Sequence, residues 1–143
     1  MKNSPISIET VKNLLEAKGV KPSFQRISVL KYMLQKKNHP SVDMIYQNLI
    51  TQIPTLSRTT IYNTLKLLNK KRVIASLSIS DTELRYDYIS DPHDHFLCKQ
   101  CGQIFDIDAL TEAMEPKEIN GHDVHEVQVN AKGICSSCRA KMN

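Results

Sequence analysis

The sequence predicts an α+β chain in two parts, and three observations carry that prediction. Apolar residues recur with a helical period through the first half, and the period then changes to two. Charge divides along the chain: residues 1–88 hold 14 Lys and Arg against 6 Asp and Glu, whereas residues 89–143 hold 5 against 9. All four cysteines fall in the second part, as two C-x-x-C pairs, Cys98/Cys101 and Cys135/Cys138. A basic domain over residues 1–89 therefore precedes an acidic, cysteine- and histidine-rich domain over residues 90–143.

The elements follow in order. Residues 7–18 place Ile8, Val11, Leu14 and Leu15 on one helical face, and Gly19 is a natural stop. Residues 23–37 repeat the pattern with Phe24, Ile27, Leu30, Met33 and Leu34. Pro40-Ser41 announces a third helix with Ser41 as its N-cap and a stripe of Val42, Ile45, Tyr46, Leu49 and Ile50. Ser57 caps a fourth, which turns Ile61, Leu65 and Leu68 inward. Strands are predicted at Val73–Ser78 and Leu84–Ile89 around a turn at Ser80-Asp81-Thr82, with Leu84, Tyr86 and Tyr88 on one face and Arg85 and Asp87 on the other. Helices followed by a two-stranded hairpin are the order of a winged helix-turn-helix. In the second part, strands are expected at His95–Lys99, Gln103–Ile107 and His125–Ala131, with a helix near Leu110–Lys117. That makes a small α/β domain, short of core, for which a bound metal and a partner subunit would supply stability.

Bulk composition excludes some classes. The chain has 143 residues, 41% apolar and 24% charged, and no apolar run near the roughly 20 residues that span a bilayer. Its start, Met1-Lys2-Asn3-Ser4-Pro5, has no signal-peptide core, so a cytoplasmic location is expected. No motif of nucleophilic hydrolysis is present, and the chain is not expected to be an enzyme.

The outer face of the fourth helix lines up Arg58, Thr59, Tyr62, Asn63, Lys66 and Lys70. Base-reading groups, an aromatic ring and phosphate-binding lysines on one face suit a major groove. A solvated amphipathic helix has the same pattern; the basic balance and the following hairpin favour double-stranded DNA. Arg85, in the hairpin, would lie near the phosphates.

Cys98-Lys99-Gln100-Cys101 and Cys135-Ser136-Ser137-Cys138 are two knuckles whose four thiolates make a closed tetrahedral set, the donor set of structural Zn(II). Redox-active pairs or free thiols are the alternatives, but a redox pair needs low-pKa thiols in a βαβ setting. The 33 residues between Cys101 and Cys135 mean that such a site would pin the start of the domain to the C-terminal end of the chain. Further ligands stand at His39, at Asp87, and at His93 and His95, with Asp106 and Asp108 close in sequence. The H-x-H spacing puts both imidazoles on one side of an extended segment. Mixed nitrogen and oxygen donors suit Fe(II), Mn(II) or Zn(II), and a site at the joint of the two parts could switch DNA affinity.

Taken in order, these residues resemble the ferric uptake regulator family of metal-dependent repressors over nearly the whole chain. The marks are Gln25-Arg26; His39-Pro40-Ser41 with Asp43, Ile45-Tyr46 and Leu49; Arg58-Thr59-Thr60-Ile61-Tyr62-Asn63-Thr64-Leu65; Arg85-Tyr86-Asp87; His93-Asp94-His95-Phe96 running into Cys98, Cys101 and Gly102; and Gly133 with Cys135 and Cys138. The resemblance implies a homodimer on a palindromic operator, structural zinc on the four cysteines, and a regulatory Fe(II) or Mn(II) on His39, Asp87, His93, His95 and Asp106. The residues expected to contact DNA are Arg26, Arg58, Thr59, Tyr62, Asn63 and Lys66. Asp at both 87 and 106, where iron-sensing members tend to carry Glu, resembles the peroxide-sensing branch, in which a ligand histidine is oxidised; His39 and His93 are the matching oxidation-sensitive positions. Phe24 replaces a frequent Pro, and Val127 replaces a frequent His, with His122 and His125 nearby; the second departure weakens the case for an auxiliary metal site. The alternatives are an iron- or zinc-responsive uptake regulator of the same family, a zinc-stabilised thiol redox protein, and a non-sensing architectural DNA binder.

Overall fold

A computed structural model describes residues 5–90, 93–110 and 116–142. The chain divides into two compact units, Met1–Ile89 and Ser90–Asn143.

The first unit opens with four helices, each started by a serine: α1 Ile8–Ala17, α2 Phe24–Lys36, α3 Val42–Leu49 and α4 Arg58–Lys70. The Oγ of Ser7, Ser23, Ser41 and Ser57 accepts from the backbone N–H of Thr10, Arg26, Met44 and Thr60, satisfying one of the orphan donors that every helix start leaves. The stops are equally local. Gly19 takes φ +72°, so that Val20 N–H bonds back to Leu15 O at 2.9 Å and α1 closes. Arg72 takes φ +59° after α4, and Val73 N–H bonds to Leu68 O in the same way.

The inward stripes meet in one core. Val11, Leu15, Val29, Leu30, Ile45, Ile61, Leu65 and Leu68 are fully buried there, each contributing roughly 1.5–3 kcal/mol of transfer free energy. The period then changes to two, and β1 Ile74–Leu77 pairs antiparallel with β2 Arg85–Tyr88, Ile74 opposite Tyr88 and Leu77 opposite Arg85. Ile74 and Tyr86 join the helical core.

The second unit is a three-stranded sheet in the order β4-β3-β7, with a separate small hairpin and a closing helix. Strand β3, Asp94–Cys98, runs antiparallel to β4, Ile104–Ile107, and parallel to β7, Asn130–Gly133. β5 Glu118–Ile119 and β6 His122–Asp123 make the hairpin, and α5 Ser136–Lys141 follows β7. Among the described residues of this unit only His95, Cys98, Ile104 and Cys135 are buried. No helix among the described residues is long and apolar enough to cross a membrane.

Several expectations are corrected. Phe24 is 64% exposed and Ile8 57% exposed, because each is the first residue of its helix and has no preceding turn to pack it. Leu84 is exposed rather than sharing an inward face with Tyr86, since β2 begins only at Arg85. The strand expected over 125–131 lies instead at Asn130–Gly133, ending two residues further on; its partner β3 begins at Asp94, so the earlier residues have nothing to pair with. The hairpin at 118–123, absent from the expected elements, turns at Asn120-Gly121, whose φ values of +51° and +82° are those that a tight two-residue turn demands. Residues 111–115 of the helix expected near Leu110–Lys117 lie outside the described residues.

The two faces of α4 should respond differently to truncation. Leu65→Ala removes a fully buried side chain and should lower the unfolding free energy by about 2–5 kcal/mol. Tyr62→Ala, on the exposed face, should change it by about 0.5 kcal/mol or less. Chemical denaturation of both variants checks this, and equal losses would mean that Tyr62 is part of the core.

Candidate functional site

Four sulfurs converge at one end of the sheet. Cys98 ends β3 and pairs in register with Gly133 of β7, which brings the chain's last cysteines alongside its first. Lys99 N–H bonds to Gly133 O at 2.7 Å, and Gly102, at φ +76°, closes the first knuckle through its N–H to Cys98 O at 2.9 Å. The second knuckle is the start of α5: Cys135 is its N-cap, and its Sγ accepts from Cys138 N–H at 3.4 Å. The Sγ of Cys98 accepts from the N–H of Cys101 at 3.4 Å and of Cys135 at 3.3 Å.

All four sulfurs lie within 4.8 Å of one another, and Cys101 Sγ stands 3.9 Å from Cys135 Sγ. A tetrahedron of Zn–S bonds of about 2.3 Å has edges of about 3.8 Å, so the set fits zinc. Acidity argues the same way. Burial pushes the Cys98 thiol up, but the amide N–H groups of Cys101, Cys135 and Gln100 outweigh it and hold the group at about 6. Cys138 is pushed up to about 12, first by its hydrogen bond with Cys135, then by burial, then by Cys101 and Cys98. One thiolate is thus favoured, and further ionisation without a cation is opposed.

A second donor set stands on the other half of the same sheet. His95 and Asp106 are directly opposed across β3 and β4. His93 lies two residues before His95, on the same side of the chain, while Asp94 between them uses Oδ2 to accept from Leu110 N–H at 2.7 Å. His93 Nε2 is 3.1 Å from His95 Nε2; Asp106 Oδ1 is 3.3 Å from the first and 3.5 Å from the second. Three donor atoms at these separations form one triangular face of a coordination sphere with bonds of about 2.0–2.2 Å. Asp108, also considered from the sequence, is exposed and lies outside this group.

The first unit holds a further pair. His39 is buried, and its Nε2 lies 4.0 Å from Asp87 Oδ1 on β2. The turn that carries His39 is stitched to the hairpin: Tyr86 N–H bonds to Pro40 O at 2.9 Å, Arg85 Nη2 to Asn38 O at 3.3 Å, and Arg85 Nε to His39 O. These bonds hold His39 at φ +50°, a conformation that costs a non-glycine residue about 1 kcal/mol or more. The expectation that Arg85 lies near DNA phosphates is thereby corrected. Its side chain is 11% exposed, and two main-chain carbonyls and Glu83, at 3.8 Å, occupy its guanidinium.

On α4, Arg58, Thr59, Tyr62, Asn63, Lys66 and Lys70 are all exposed, opposite the buried Ile61, Leu65 and Leu68. Arg26 is half-buried; its Nη1 donates to Lys21 O at 2.8 Å, and with Gln25, Thr60 and Asn63 it lines a cleft of about 690 Å³ between the start of α2 and α4. Arg58 is not loose. Its Nε and Nη2 donate to Asp43 Oδ1 at 3.0 and 2.8 Å, and its guanidinium lies 3.9 Å from the centroid of the Tyr46 ring. Sequence reasoning missed the seat, although Asp43 and Tyr46 at i, i+3 on α3 were visible.

The model of the ferric uptake regulator family matches residues 17–132, and the chain belongs to that family. The peroxide-responsive repressor PerR of Staphylococcus aureus is 30% identical over 141 residues, covering 93% of this chain and 91% of that one. PerR from Streptococcus pyogenes has a TM-score of 0.52 at 33% identity, over 96% of this chain and 97% of its own; it has been described for peroxide sensing and gene regulation. The Helicobacter pylori ferric uptake regulator Fur, described with three functional metal-binding sites, shares the fold with a TM-score of 0.68 at 20% identity, over 96% of this chain and 97% of its own.

Two outcomes are expected. Zinc affinity of the metal-free chain, measured against a competing chelator, should rise from pH 6 to pH 8, because the Cys138 thiol, held up at about 12, must give up its proton to bind. A flat profile would mean that Cys138 is not a ligand. Arg85→Ala should destabilise the first unit by about 1–3 kcal/mol, since it strips the Asn38 and His39 carbonyls of a buried charged donor. An unchanged unfolding free energy would remove Arg85 from that role.

Proposed function

We propose that this chain is a cytoplasmic, homodimeric, metal-dependent repressor that binds double-stranded operator DNA and senses hydrogen peroxide. In this reading residues 1–89 are a winged helix-turn-helix DNA-binding domain, with α3 and α4 as its two helices and β1–β2 as its wing. α4 enters the major groove with Thr59, Tyr62, Asn63 and Lys66 behind Arg58 at its first position, and Arg26 meets the backbone beside it. Residues 90–143 are the metal-binding dimerisation domain. Its sparse core and the exposure of Ile119 and Val127 support a need for a partner subunit. Zn(II) on Cys98, Cys101, Cys135 and Cys138 is structural.

The observation that carries the sensing function is the regulatory donor set. His93, His95 and Asp106 are already gathered in the second unit, and His39 and Asp87 in the first. We assign all five to one Fe(II) or Mn(II) ion. Both carboxylates are Asp, the feature that resembles the peroxide-sensing branch, and two peroxide-responsive relatives stand at 30% and 33% identity. An Fe(II) ion bound there supplies the redox chemistry. The chain supplies the imidazoles of His39 and His93: one oxygen atom of the peroxide is added to the ring and the other leaves as water. An oxidised ligand holds metal poorly, so the DNA-bound form is lost.

The test compares Fe(II)- and Mn(II)-loaded protein before and after brief peroxide, using a duplex selected from a randomised library by the Mn(II)-loaded chain. Fe(II)-loaded protein should release the duplex and gain about 16 Da, one oxygen atom, on the peptide of His39 or His93, while Mn(II)-loaded protein does neither. Retention of DNA with no mass change in both forms would sink peroxide sensing and favour the iron- or zinc-responsive alternative. Metal-independent DNA binding in His39→Ala and wild type alike would sink the regulatory site.

A further inference from the structure

We propose that Arg58 is a positioning residue of the DNA-binding unit: Asp43 and Tyr46 form its seat on α3, and through it the start of α4 is fixed against α3. The proposal rests on the DNA-binding reading above and assigns a new role to one residue of that face.

The seat has two walls. Asp43 and Tyr46 lie three residues apart on α3 and so project on one side of that helix. The Asp43 carboxylate receives both Nε–H and Nη2–H of Arg58 on a single oxygen, at 3.0 and 2.8 Å. The Tyr46 ring receives the flat of the guanidinium at 3.9 Å. Only arginine offers a planar cation and two adjacent N–H donors together; lysine offers one charge without the plane.

The location gives the clamp its consequence. Arg58 is the first residue of α4, immediately before the exposed Thr59 and one turn before Tyr62 and Asn63. A cation at a helix N-terminus meets the positive end of the helix dipole, and the Asp43 carboxylate offsets that repulsion. The arginine side chain is 53% exposed and the Asp43 side chain 58%, so the clamp lies on the surface that would meet DNA. An arginine free to contact DNA would neutralise a phosphate or read a guanine. An arginine spent on Asp43 and Tyr46 instead sets the angle at which its neighbours present themselves.

The two roles give opposite signs for Asp43. Removing a carboxylate beside DNA ordinarily strengthens binding, and it would also release Arg58 to a phosphate. Removing the seat of a positioning arginine weakens binding. The experiment measures affinity for the library-selected duplex over a range of salt, using full-length Mn(II)-loaded wild type, Arg58→Ala, Arg58→Lys, Asp43→Ala and the double variant Asp43→Ala/Arg58→Ala. Asp43→Ala and Arg58→Ala should each weaken binding roughly five- to tenfold. The double variant should be no weaker than Arg58→Ala, Arg58→Lys should not restore affinity, and the slope of log K against log salt should stay at its wild-type value. The proposal is overturned if Asp43→Ala tightens binding or leaves it unchanged. It is equally overturned if Arg58→Ala flattens the salt slope by about 0.9, the mark of one lost phosphate contact. If the wild-type chain selects no duplex at all, the DNA-binding reading itself fails; the variant outcomes, read against a binding wild type, sink only the role given to Arg58.

Discussion

Four sulfur atoms brought within 4.8 Å of one another are the constraint on which the second unit depends. Thiolates at that distance repel, and the amide hydrogen bonds to Cys98 favour one negative charge while its neighbours hold Cys138 neutral. A divalent cation removes the conflict and converts the same proximity into binding free energy. Little else is available to do so: the buried side chains described in this unit are four, and two of them are cysteines. The strand that ends in Cys98 also carries His95, and its neighbour carries Asp106. A loss of order at the sulfurs would therefore reach the second donor set through β3 itself.

The first unit solves its problem by a different means. It has a full apolar core, so the helices need no metal, and its special feature is the turn between α2 and α3. Lys37 and His39 both sit at positive φ, and the hairpin holds the turn by three bonds from Arg85 and Tyr86 to consecutive carbonyls. The same hairpin strand carries Asp87 toward His39. Backbone strain at His39 is thus tied to the placement of a donor atom, and the guanidinium that maintains it is buried against the carbonyls of Asn38 and His39.

How much of this was legible in the sequence depended on whether the signal was local. Serine caps, Gly19 and the inward stripes of α1 to α4 are decisions made within a turn or two of chain, and they could be read directly. The cysteine knuckles were legible because C-x-x-C has few other uses in such a setting. Arg85 was not: its burial depends on carbonyls 46 and 47 residues away, and an alternating pattern places it on the outer face of the strand. The pairing of Arg58 with Asp43 spans 15 residues and was hidden for the same reason. β7 is expected too early because alternation starts before the point at which β3 can pair, and the Asn120-Gly121 hairpin is too short to show a period.

The stretch from His39 to Asp43 bears on function for a physical reason. His39 offers its imidazole toward Asp87; Pro40 accepts from the hairpin through its carbonyl; Ser41 caps α3; and Asp43, in the first turn of α3, holds Arg58 at the start of α4. Five residues therefore connect a donor atom, the hairpin and both of the helices assigned to DNA contact, with no flexible spacer between them. A change in the position of His39 alters the backbone of Pro40, and Ser41 cannot keep its bond to Met44 N–H unless α3 follows. In the proposed reading, a ligand drawn onto His39 would act on the start of α3, and the Asp43–Arg58 clamp would carry that displacement to α4. Covalent neighbours and named hydrogen bonds make that a short and continuous path.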